Sequence, residues 1–96
     1  MIDVENFIYF IKELFGSSII YFDRFKNDLI FFEIDCLDEV SNKLSIEVTS
    51  ERIKVSSLSK LPTVDFSLHD YSFKSSLEAK DFLYEIKKSR IFYPHK

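Results

Sequence analysis

The chain has one cysteine, one glycine and two histidines in 96 residues. A lone Cys36 cannot close an internal disulfide, and by itself it cannot hold a structural metal. A single Gly16 excludes every glycine-rich loop that cradles phosphate. Long apolar runs are missing as well, with no window near the 18 or more residues that a membrane span needs. The start, Met1-Ile2-Asp3-Val4-Glu5, is acidic, whereas a secretory signal opens on basic residues before an apolar stretch. With a single thiol, the expected compartment is the reducing cytoplasm.

What remains is ring area and charge. Aromatic residues make up 17% of the chain, 11 of them Phe, and apolar residues 46%. That suffices for one core and one domain over residues 1–96, although a domain of this size buries only about 60–65% of its unfolded surface. The net charge of −3 is unevenly spread. Residues 28–51 hold Asp28, Glu33, Asp35, Asp38, Glu39, Glu47 and Glu51 against Lys43 alone, a net −6, while residues 52–96 carry +4. An acidic middle repels phosphate backbones, which argues against nucleic acid as the direct ligand. The same field attracts a basic protein and speeds its association. The competing reading is a solvated acidic surface with no partner.

Periodicity sets the elements. Val4, Phe7, Ile8, Ile11, Leu14 and Phe15 share one face of a helix over 3–15. Asp3 is its N-cap, and Gly16 its left-handed C-terminal cap. Period two follows. Strands are predicted over 19–25, 29–36 and 43–49, then a fourth with Ile53 and Val55 inward, and a fifth with Val64, Phe66 and Leu68 inward. Lys26-Asn27-Asp28 and Ser50-Glu51 form turns; residues 37–42, 58–62 and 70–75 form loops. Ser75-Ser76-Leu77-Glu78 is a capping box that starts a second helix, with Ala79, Phe82, Leu83 and Ile86 on its apolar face. Tyr, Phe and Leu over 82–86 read as core. The aromatic tail, Ile91-Phe92-Tyr93-Pro94-His95-Lys96, is expected to fold back along the sheet or helix. Short connections make neighbouring strands antiparallel. The expectation is an α+β two-layer sandwich, ordered α-β-β-β-β-β-α, with both helices on one face of a five-stranded sheet.

The other face carries the functional signal. With Ile20 and Phe22 inward, the first strand shows Ile19, Tyr21, Asp23 and Phe25 outside, and the second shows Leu29, Phe31, Glu33 and Asp35. Glu47, Lys54 and Asp65 follow on the later strands. Rings supply desolvated area and carboxylates supply steering, a mixture found at interfaces. The alternatives are that the tail covers these rings, or that the first strand is buried on both sides. Asp38 and Glu39 add two acids beside the face; without a glycine bend they read as a solvated loop and not as a calcium site. The expected partner-binding set is Tyr21, Asp23, Phe31, Glu33, Asp35, Asp38, Glu39 and Glu47.

Chemistry is poorly served. A Cys36–His69 pair needs an exposed thiol, yet the parity of Cys36 places it with Ile34 in the core. His69, beside Asp70, falls at the outward end of the fifth strand, and His95 is next to the last residue. Abundant serines make a Ser–His–Asp arrangement too easy to assemble to carry weight. No catalytic residue, cofactor or metal is expected.

The acidic α+β layout opens on a capped helix. It closes on a serine-rich loop and a helix reading Phe73-Lys74-Ser75-Ser76-Leu77-Glu78-Ala79-Lys80-Asp81-Phe82-Leu83. This layout resembles small bacterial immunity proteins of polymorphic toxin systems, those of contact-dependent growth inhibition among them. The resemblance spans the whole architecture. It implies a stoichiometric cytoplasmic inhibitor of one cognate protein toxin, commonly a nuclease with a basic cleft that carboxylates can plug. The basic C-terminal third departs from a uniformly acidic inhibitor. A monomer or weak dimer that contacts neither membrane nor nucleic acid is expected. The alternatives are a secretion chaperone or adaptor holding an extended client segment, dimeric if so, and a small enzyme or ligand-binding domain with a pocket near His69 and Asp70.

Overall fold

A computed structural model describes residues 1–37, 41–59 and 67–93. Helix α1 spans Val4–Phe15. The Asp3 carboxylate accepts from the Asn6 N–H at 3.1 Å, satisfying one of the helix's orphan donors. Gly16 ends the helix with φ +50 and ψ −122. The positive φ matches expectation, but this ψ belongs to a type II′ bend and not to a left-handed helical cap. The chain turns there through Gly16–Ser18 into strand β1, Ile19–Arg24. A short turn, Lys26–Asp28, leads to β2, Ile30–Leu37. Asp28 takes φ +60, a conformation Asp tolerates better than most residues.

Strands β3, Ser41–Val48, and β4, Ile53–Ser59, are joined by a tight turn. In it the Thr49 hydroxyl accepts from the Arg52 N–H at 3.1 Å. The buried Ile2 is pinned to this turn by its N–H donating to the Ser50 carbonyl at 2.8 Å. Strand β5, Ser67–Phe73, precedes helix α2, Ser76–Ser89, and a two-residue strand β6, Ile91–Phe92. Ser75 caps the helix as expected, its hydroxyl accepting from the Glu78 N–H at 3.5 Å.

The sheet is antiparallel, in the order β1-β2-β3-β4-β5, and β6 joins β2 through Cys36–Phe92 and Leu37–Ile91. Both helices pack on one face of it, as the alternation requires. One cluster unites Phe7, Ile11 and Phe15 of α1 with Phe32, Ile34, Leu44, Ile46, Ile53 and Val55 of the sheet and with Ala79, Leu83 and Ile86 of α2. Among the described residues no helix is long and apolar enough to cross a membrane.

Several expectations shift. Strand β5 extends through Asp70–Phe73, where a loop is predicted, because Tyr71 and Phe73 pair with Val55 and Ile53 and pack on the Phe82 ring at 4.6 and 5.2 Å. Strand β4 continues through Ser59, β2 through Leu37, and β3 begins at Ser41, each beyond its predicted bound. Ile19, expected outside, packs against the core. A register shift between Ile19 and Tyr21 reverses the parity ahead of it and sets Ile19 opposite Ile34. Leu29 belongs to the turn and not to the open face of β2. Tyr84, read as core, is exposed and lays only its edge on Phe10. The predicted Val64, Asp65 and Phe66 of the fifth strand, residues 60–62 of the loop expected before it, and His95 lie outside the described residues.

Candidate functional site

The face of the sheet away from the helices is built in cross-strand rows. Tyr21, Glu33, Ser45, Ser56 and Asp70 lie side by side across β1 to β5. Asp23, Phe31, Glu47, Lys54 and Ser72 form the next row, and Asp35 pairs with Lys43 beyond. Neighbouring strands are about 4.8 Å apart. The face therefore gathers Asp23, Glu33, Asp35, Glu47 and Asp70 against Lys43 and Lys54. The screening length of physiological salt is ~8 Å, so charges one or two strand spacings apart still add at its surface.

Strand pairing explains the grouping. Each of these residues holds the opposite parity from an inward apolar neighbour, so burying Ile30, Phe32 and Ile34 in β2 turns Phe31, Glu33 and Asp35 outward. Six of the eight residues expected in the partner-binding set thus share one face: Tyr21, Asp23, Phe31, Glu33, Asp35 and Glu47. Asp38 and Glu39 lie outside the described residues. The expected alternative that the tail roofs the rings does not match the described chain. Residues 91–92 extend the edge of β2, and Tyr21 and Phe25 remain 43% and 45% exposed.

The rings are organised. Phe31 is half-buried, and Tyr21 and Phe25 stand inclined to it by 63° and 65°, with centroids 5.9 and 6.4 Å away. The Tyr21 hydroxyl donates to Asp23 Oδ2 at 3.0 Å, and the Arg24 N–H donates to Asp23 Oδ1 at 2.8 Å, which fixes that carboxylate. The hydrogen bond to Asp23, then desolvation, then the charges of Asp23 and Glu33 raise the Tyr21 hydroxyl above the ordinary phenol range. Lys43 Nζ lies 3.5 Å from Glu33 and offsets part of the acidic field. Arg24 is turned away. Its guanidinium forks onto Glu5 of α1 at 2.8 and 3.0 Å, and that hydrogen bond holds the Glu5 carboxyl below its usual range.

One contributor escapes the sequence reading: Asp70 closes the first row by accepting from the Ser56 hydroxyl at 2.5 Å. Phe25, expected outside, sits one residue past β1 and joins the ring group. The signal for Asp70 is the alternation Asp70-Tyr71-Ser72-Phe73, in which Tyr71 and Phe73 face the helices and Asp70 and Ser72 the open side. Cys36, as expected, is buried, with Arg90 Nη1 3.9 Å from its sulfur. The same guanidinium donates to the buried Ser57 hydroxyl at 3.1 Å. His69 pairs with Ser57 within β5 and not at a strand end. Among the described residues, no three His, Cys, Asp or Glu side chains converge as a metal ion would require. Comparisons with protein families, curated proteins and solved structures return no match to this chain.

Proposed function

We propose that this chain is a non-catalytic protein-binding module, and specifically a cytoplasmic immunity protein that neutralises one cognate toxin. Its open sheet face docks into a basic cleft of that toxin, a nuclease cleft being the natural fit. The observation that supports this reading is the gathering of Tyr21, Phe25 and Phe31 with Asp23, Glu33, Asp35 and Glu47 on a single face. Rings on a flat sheet supply the area that releases water on contact, and carboxylates imitate the charge of a phosphate backbone. A stable complex would bury about 1,200–2,000 Å² in total, which a five-stranded face and its rim can provide.

The test is protection. Cells expressing a cognate toxin grow when the parent chain is co-expressed. They should fail to grow with the triple variant Glu33→Lys, Asp35→Lys, Glu47→Lys, provided its circular dichroism matches the parent. Full protection by the folded triple variant would overturn the assignment of the face. A tight homodimer in sedimentation would favour the alternative, a secretion chaperone holding an extended client.

A further inference from the structure

Throughout the helix layer, lysines sit over rings. Lys12 lies 4.5 Å from the Phe22 centroid, Lys80 5.3 Å from Phe10, and Lys87 5.0 Å from Phe92 and 5.8 Å from Phe15. The open sheet face differs. Among the described residues no lysine or arginine stands over Tyr21, Phe25 or Phe31. Of the basic residues on or beside this face, Arg24 is paired with Glu5, Lys43 with Glu33, and Lys54 stands two strands from Phe31, opposite Glu47.

Around Phe31 the register completes a shallow seat. Its ring is the floor. On the β1 side stand Tyr21, Asp23 and Phe25, and on the β3 side stands Glu47. The two carboxylates flank the ring in one row, with backbones about 10 Å apart across two strand spacings. Asp23 is pre-oriented by its two hydrogen bonds and keeps lone pairs free for a further donor. Among the described residues Glu47 makes no ion pair.

We infer that this seat takes an arginine side chain of the partner protein, its guanidinium stacked on Phe31 and its N–H groups forked between Asp23 and Glu47. A guanidinium is planar and weakly hydrated, and it presents donors on more than one edge, so it can use a ring floor and two carboxylate walls together. An ammonium is a compact, strongly hydrated point charge that gains the field but little of the ring. The inference rests on the reading of this face as a docking surface, and it deepens that reading by naming the contacting chemistry.

The experiment titrates the isotope-labelled full-length chain with hexa-arginine and hexa-lysine peptides and follows backbone amide shifts. Hexa-arginine should move the amides of residues 21–25, 31 and 45–47 and bind about threefold tighter than hexa-lysine. Phe31→Leu should abolish that preference while leaving the salt-dependent binding of both peptides. The pair Asp23→Asn and Glu47→Gln should weaken both. Equal affinity of the two peptides at this face would overturn the arginine seat alone. If neither peptide moved these amides at low salt, the docking face itself would fall with it.

Discussion

Phe92 offers a sharp test of the packing, because a two-residue strand is the least substantial element of the fold. Its ring lies 5.1 Å from Phe15, its backbone pairs with Cys36, and Lys87 covers it. Phe92→Ala removes a partly buried ring. Complete burial of such a side chain contributes about 1.5–3 kcal/mol, and an aromatic pair adds about 0.5–1.5 kcal/mol. The expected loss is therefore about 2 kcal/mol, read from the urea midpoint, with Tm lower by about 8–16 °C for a domain of this length. Cys36 supplies a second reading, since its thiol is 1% exposed and reacts only when the structure around it opens. Its modification by an aromatic disulfide reagent should accelerate about 30-fold, the ratio that corresponds to 2 kcal/mol. An unchanged midpoint together with an unchanged thiol rate would refute the docking of β6 on β2.

Gly16→Ala should destabilise by about 1–3 kcal/mol, measured by denaturant titration, because L-residues avoid φ +50 with ψ −122. An added Cβ would meet nothing within 4 Å, so the whole cost is backbone strain and not a clash. Tyr21 has a folded pKa raised above its unfolded value, so its contribution to stability is present below about pH 10 and is lost as pH rises through the folded value. Tyr21→Phe should remove that alkaline loss. In an absorbance titration of the parent, the increment missing from the variant should fall at the high-pH end of the phenolate curve.

Much of the fold was legible because the buried pattern is clean. In α1 the apolar stripe and both end signals, Asp3 and Gly16, agree with one another, and Ser75 with Glu78 marks the start of α2. Alternation in Ile30–Cys36 and Leu44–Val48 left a single choice of faces. The misplaced end of β5 shows the limit. Asp70 and Ser72 read as loop residues, yet Ser56 and Lys54 of β4 pair with them, and the Ser56 hydroxyl bonds the Asp70 carboxylate, partners that no local window contains. The displaced Ile19 has the same origin, since a register shift is fixed by pairing with Ile34 and leaves no mark on composition. At the site, the parity of Tyr21, Asp23, Phe31 and Glu33 was readable, but the inclination of the rings and the anchoring of Asp23 emerge only when β1 and β2 are side by side.

The most direct measurement is the rate at which this chain associates with a cognate toxin as ionic strength is varied, for the parent and for the folded Glu33→Lys, Asp35→Lys, Glu47→Lys variant. The parent rate should fall steeply with added salt, and the variant should associate at least about tenfold more slowly at low salt with a flattened salt dependence. Parent and variant rates that coincide across the salt range would contradict an acidic sheet face as the docking surface.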